Sequence, residues 1–142
     1  MESKRSRSIL FLCTGNACRS QIAEGFARSM LPQGWRVYSA GVAAAGLHAR
    51  TIDVMMEVGI DISGQHSKTL DEVPVDEIDY VITLCGHARD LCPVFPRAVA
   101  SEHWPIDDPM HAADTHVELQ AFRRARDDIR RRVEDLVKRL KG

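Results

Sequence analysis

Short apolar runs that stop at glycine or a small polar residue alternate along this chain with longer stretches of helical period, and that alternation restricts the fold more than any other feature. Residues 8–12 (SILFL) form the first run, and residues 20–31 follow with Ile22, Ala23, Phe26, Ala27 and Met30 on one helical face. Residues 35–38 read as a second strand ending at Ser39-Ala40-Gly41, and a helix is expected over 48–58, carrying Ile52, Met55 and Met56 and stopped by Gly59. Residues 79–84 (DYVITL) make the clearest buried strand, which ends at Cys85-Gly86. A weaker strand lies in 99–104, and a last helix over 114–140 repeats Phe122, Ala125, Ile129, Val133, Leu136 and Leu140 every three or four residues. With 142 residues and 44% hydrophobic content there is material for one core and too little for two, so residues 1–142 are expected to form a single domain. The expected fold is α/β: a doubly wound, four-stranded parallel sheet with helices on both faces. Such sheets bind ligands beyond the carboxyl ends of their strands, where Cys13 and Cys85 both fall.

Charge narrows the partners. Lysine and arginine number 19 against 20 acids, a formal charge of 19 − 20 = −1, which offers no electrostatic case for nucleic acid or a membrane surface. The N-terminus, MESKRSRSILFLC, places basic residues before an apolar patch, but residues 9–12 are too short for a secretory h-region and no later stretch could span a bilayer. A cytoplasmic location is expected. Four cysteines, Cys13, Cys18, Cys85 and Cys92, in such a chain read as working thiols rather than structural disulfides.

The stretch Cys13-Thr14-Gly15-Asn16-Ala17-Cys18-Arg19-Ser20 joins a strand to a helix. A loop of this kind curls its backbone N–H groups around a tetrahedral oxyanion, and the guanidinium of Arg19 adds a planar fork for two further oxygens. Gly15 tolerates the positive φ that the curl needs, and Asn16, the next most tolerant type, can brace the loop with its amide. These groups would favour a Cys13 thiolate, with Ser20 placed to donate to it, which makes Cys13 a nucleophile. The plainer alternative, a core cysteine beside a capping arginine, leaves the shared placement of Gly15, Asn16, Arg19 and Ser20 unexplained.

CTGNACRSQ at 13–21, SAG at 39–41, TLCGHARDLCP at 83–93 and EHWPIDDP at 102–109 together resemble the thioredoxin-coupled arsenate reductases, which have the fold of the low-molecular-weight tyrosine phosphatases. The resemblance covers nearly the whole chain. It implies that Cys13 attacks arsenate, that Asp108 protonates the departing oxygen, and that Cys85 and then Cys92 carry the oxidising equivalents outward to thioredoxin, with no metal or organic cofactor. Spacing alone says something about the last pair. On an intact helix Cys85 and Cys92 would stand about 10 Å apart along the axis, whereas a disulfide needs Cα atoms roughly 5.5 Å apart. Bonding them requires residues 86–91 to unwind, which the flanking Gly86 and Pro93 suit; two inert buried thiols are the alternative. His87 beside Cys85 is at best a fragment of a zinc site.

A low-molecular-weight tyrosine phosphatase is the rival reading, because the loop chemistry is shared. Against it stand the non-aromatic Met110-His111-Ala112 after Asp108-Pro109 and the absence of any role for Cys85 and Cys92. A thiol-based sensor would explain three cysteines but not Arg19 and Asp108. Cys18 is read as packing against the sheet, Trp104 as core, and His48, His66, His103, His111 and His116 as surface or capping residues. The nine basic residues against four acids in 121–142 are read as a solvated helix face. Some members of the resembled family hold potassium beside the loop through the loop asparagine, the serine of SAG and a later acid. The first two are Asn16 and Ser39, but Lys68 occupies the position of the acid, and its ammonium is expected to replace the ion and support the loop.

Overall fold

A computed structural model describes residues 7–109 and 115–141. Four strands, β1 (Arg7–Cys13), β2 (Trp35–Gly41), β3 (Tyr80–Thr83) and β4 (Ala100–His103), pair in the order β2-β1-β3-β4, every pair parallel. The helices are α1 (Arg19–Met30), α2 (Ala49–Met56), α3 (Gly86–Asp90) and α4 (Thr115–Lys141), and 3₁₀ turns at Leu70–Glu72 and Val75–Glu77 precede β3. The doubly wound single-sheet architecture is therefore as the alternation requires.

β1 is central, and Ile9, Leu10, Phe11 and Leu12 are all buried because both faces of a parallel sheet are covered. Phe11 meets Trp104 at a ring separation of 5.9 Å, which places Trp104 in the core. Complete burial of one such ring contributes about 1.5–3 kcal/mol. α1, α2 and α4 pack against one another. The right-handed crossover rule puts α3, which joins β3 to β4, on the face opposite α1, because that connection runs across the sheet in the direction opposite to β1-α1-β2. α3 contacts β1 and β3, and Val73 and Ile78 from the preceding segment enter the core.

Three local expectations change. The SAG triplet does not end β2 but belongs to it, since Ser39, Ala40 and Gly41 pair with Phe11, Leu12 and Cys13. Cys18 packs with Val54 of α2 and Phe122 of α4 rather than against the sheet, because the start of α1 projects beyond the strand ends. The basic face of α4 is not merely solvated. Arg126 is buried and donates to the Val54 carbonyl and to Glu57, Arg123 also binds Glu57, and Arg139 clasps Glu102, so these side chains tie α4 to α2 and β4. Glu102 in turn accepts from the Trp104 indole N–H. His48 caps α2, its Nδ1 accepting from the Arg50 N–H at 3.0 Å. The Met110-His111-Ala112 step, Asp114 and the basic residues before Arg7 lie outside the described residues. Among the described residues no helix is long and apolar enough to cross a membrane.

Candidate active site

β1 delivers Cys13 at the carboxyl edge of the sheet, and residues 14–18 turn the chain into α1. The hydrogen bonding of that loop is one-sided. The carbonyls of Cys13, Thr14, Gly15 and Ala17 accept from the main-chain N–H groups of Val42, Ala43, Ala45 and His48 at 3.1, 3.0, 2.9 and 3.0 Å. The Asn16 carbonyl accepts from Gln21 Nε2 at 3.1 Å. Among the described residues none of the main-chain N–H groups of 14–18 donates elsewhere in the chain. Across a trans peptide the N–H points away from the carbonyl, so carbonyls drawn outward leave a concave row of donors. Asn16 at φ +50°, and not Gly15 as the sequence suggests, takes the left-handed turn that closes this curl. Gly41 backs it: a Cβ there would lie 2.7 Å from the Asn16 nitrogen and 2.8 Å from the Gly15 carbonyl carbon.

Arg19, the first residue of α1, is 7% exposed. Its Nη1 donates to the Ile106 carbonyl at 3.0 Å and its Nη2 lies 3.7 Å from Asp108 Oδ2. The Nε–H is buried and has no partner among the described residues. A buried donor left unsatisfied costs about 1–3 kcal/mol, and more when charged, so an anion in the loop would repay that cost directly. The segment after β4 thus orients the guanidinium from behind and brings Asp108 to the mouth of the loop. Asp108 also borders a cavity of about 470 Å³ between residues 106–109 and α4.

The thiols are arranged around the same loop. Cys13 Sγ lies 2.8 Å from Ser20 Oγ, which in turn accepts from Asn16 Nδ2 at 2.7 Å. Cys85, just beyond β3, places its Sγ 3.0 Å from Thr14 Oγ1 and accepts from the Ala88 N–H at 3.3 Å. β1 and β3 are neighbours, so two residues 72 positions apart reach one loop. Cys92 follows α3, is only partly buried, and has its thiol pushed up by that burial. Cys18 is pushed up to about 12, first by burial and then by its neighbours Cys13 and Asp108, so its thiol stays protonated and it serves as packing. All four cysteines are free thiols.

Behind the loop runs a buried polar chain. Asn16 Nδ2 also donates to Ser39 Oγ at 3.0 Å, and Ser39 donates to Glu24 Oε1 at 2.5 Å. Lys68 is 8% exposed; its main-chain N–H donates to Asn16 Oδ1 at 2.9 Å, its Nζ donates to the His66 carbonyl at 3.1 Å, and the Nζ stands 3.8 Å from Glu24 Oε1. Burial lowers the Lys68 pKa while Glu24 opposes that shift. Ser67 Oγ holds the Gly15 carbonyl at 3.1 Å. Glu24 and Gln21 escape a reading of the sequence because a polar residue inside an amphipathic helix is assigned to the solvent side, whereas every residue from Arg19 to Ala27 of α1 is buried. Among the described residues no three His, Cys, Asp or Glu side chains gather as a metal-binding group.

Residues 8–142 match the low molecular weight phosphotyrosine protein phosphatase family. The arsenate reductase of Bacillus subtilis (strain 168) is 49% identical over 131 residues, 92% of this chain and 94% of that protein. A solved arsenate reductase in the phosphate binding state superposes with a TM-score of 0.82 at 37% identity, covering 94% of this chain and 98% of that one. The thioredoxin-dependent arsenate reductase of Corynebacterium glutamicum superposes with a TM-score of 0.77 at 28% identity, covering 96% of this chain and 63% of that one. The chain thus belongs to the low molecular weight phosphotyrosine protein phosphatase family and, within it, to the group of the arsenate reductases.

Proposed function

We propose that this protein reduces arsenate to arsenite by a cascade of three thiols and is returned to its reduced form by thioredoxin. The observation that carries the reading is the Cys85 thiol, held 3.0 Å from Thr14 inside the oxyanion loop of Cys13. A phosphatase has no use for a second thiol there; a reductase requires one. The named relatives, arsenate reductases, favour the same choice.

Arsenate sits in the row of loop N–H groups, its charge met by the buried Nε–H of Arg19. Cys13, with Ser20 at 2.8 Å, attacks arsenic, and Asp108 protonates the oxygen that leaves. Cys85 then attacks the Cys13 sulfur; the electron pair of the sulfur–arsenic bond goes to arsenic, which departs as arsenite. Cys92 attacks Cys85, frees Cys13 and leaves a Cys85–Cys92 disulfide. Because α3 is short and begins at Gly86, its unwinding to let the two sulfurs meet costs little cooperative structure. That disulfide lies outward of the loop, where an external dithiol reduces it, and thioredoxin dependence in the Corynebacterium glutamicum neighbour supports this partner. No nucleic acid or membrane takes part, and the reaction belongs in the reducing cytoplasm.

Asn16, Ser39 and Lys68 support the loop from behind. The residues do not fit a potassium ion: the Lys68 ammonium already stands 3.8 Å from the Glu24 carboxylate that faces Ser39. No step uses a soluble cation.

Disulfide mapping by mass spectrometry after a single turnover with arsenate tests the scheme. The wild type should yield Cys85–Cys92, Cys92→Ser should stop at Cys13–Cys85, and Cys85→Ser should give little turnover. Sustained turnover by either variant, with thioredoxin as the sole reductant, overturns the cascade; efficient aryl phosphate hydrolysis without arsenate reduction would return the protein to the phosphatases.

A further inference from the structure

We infer that Gln21 is a positioning residue for the reaction, a latch that sets the orientation of the Asn16–Ala17 peptide so that the Ala17 N–H faces the bound oxyanion; the inference rests on the oxyanion-loop reading above. Four of the five loop carbonyls from Cys13 to Ala17 are held by main-chain N–H groups of residues 42–48, a frame that no single side chain can remove. The fifth, that of Asn16, is held by the Gln21 side chain. It is also the carbonyl of the residue at φ +50°, a conformation that an L side chain resists and that the surrounding contacts must hold.

Gln21 is fully buried on the first turn of α1. Its Nε2 lies 3.1 Å from the Asn16 carbonyl, 3.0 Å from Asn16 Oδ1 and 3.0 Å from the His66 carbonyl, so two hydrogens serve three acceptors. Its Oε1 accepts from Gln65 Nε2 at 2.7 Å, and Gln65 also reaches the Gln21 main-chain carbonyl at 3.2 Å. The amide can stand only one way round. Reversed, Oε1 would face three oxygens and the NH₂ would face the Gln65 donor. With the Asn16 carbonyl drawn to Gln21, trans geometry sends the Ala17 N–H to the opposite side of the loop. Without the latch the peptide can rotate, and one donor of the row becomes an acceptor pointing at an anion. Gln21 thereby affects oxyanion affinity through Asn16 without touching the ligand.

The test uses inorganic phosphate as the probe, with amide chemical shifts and arsenate kinetics as readouts. Gln21→Glu keeps the shape but replaces the donor by an acceptor. In the wild type, phosphate should shift both the Gly15 and Ala17 amide signals. In the variant the phosphate dissociation constant and the arsenate KM should rise together by roughly ten- to hundred-fold, the size of one charge-assisted hydrogen bond, and the Ala17 signal should stop responding while Gly15 still does. A folded Gln21→Glu protein with unchanged phosphate affinity and a responsive Ala17 amide overturns the inference. Should that variant not fold, Gln65→Ala, at a less buried position, removes the brace on Oε1; a several-fold weaker phosphate affinity is expected, and an unchanged value overturns the latch. Failure of the wild type to bind phosphate would instead overturn the oxyanion-loop reading itself.

Discussion

Replacing Lys68 by alanine removes the only ammonium in the buried chain behind the loop. At 3.8 Å from Glu24 Oε1, the Coulomb attraction is about 4 kcal/mol at an effective dielectric of 20. Not all of it is lost. Glu24 retains Arg28 Nε at 2.8 Å and the Ser39 hydroxyl at 2.5 Å, and the desolvation of the ammonium outweighs what Glu24 returns to it, so the loss comes from the weaker pairing left to the buried Glu24 carboxylate. The variant should therefore lose about 1–3 kcal/mol, less than the ~3–5 kcal/mol expected when a buried charge is left with no partner at all. Urea denaturation measures this, and arsenate kinetics in potassium and sodium salts at equal ionic strength measure the effect on the loop. In the wild type the two salts should give equal rates. In Lys68→Ala the arsenate KM should rise, and potassium should restore part of it by entering the space beside Glu24, Ser39 and Asn16. The pH dependence has a defined sign. Because burial lowers the Lys68 pKa below the ordinary 10.5, the unfolded chain holds this proton more tightly; stability rises with pH over the window that ends near 10.5, and that rise should vanish in the variant. Potassium activation of the unmodified protein, or an unchanged KM in Lys68→Ala, would refute the idea of an internal cation.

Two further outcomes follow from the packing. Gly41→Ala would drive a methyl group into the Ala43 carbonyl oxygen and the main chain of Gly15 and Asn16, atoms that cannot swing aside; a loss of about 1–3 kcal/mol in thermal unfolding and a sharp drop in arsenate turnover are expected, and wild-type kinetics would contradict the close approach. Glu57 is held at about 2, chiefly by the hydrogen bond from Arg123 and then by Arg126, below its ordinary 4.5. Its stabilising effect is complete above pH 4.5 and disappears as the pH falls toward 2, so the difference in unfolding midpoint between the wild type and Glu57→Gln should shrink over that window; a constant difference would contradict the pairing.

By itself the sequence determined what depends on near neighbours. Strand and helix periods follow from residues a few positions apart, so the order of elements and the parallel sheet could be read directly, with bounds displaced by a residue or two and, at SAG, by three. The strand-to-helix turn from Cys13 to Ser20 was legible for the same reason, since Cys13, Asn16, Arg19 and Ser20 lie within eight consecutive residues. The tertiary structure alone decided what depends on distant chain. It drew the loop carbonyls outward onto residues 42–48, left the Arg19 Nε–H without a partner among the described residues, and set Cys85 against Thr14 across 71 positions. Gln21 and Glu24 carry no local signal, because α1 is covered on all sides at their level and burial is a property of the assembled layers, not of helical period. Lys68, Glu24 and Ser39 come together from three separate segments, and an ion pair of this kind forms only where packing has already excluded the water that would otherwise solvate its charges.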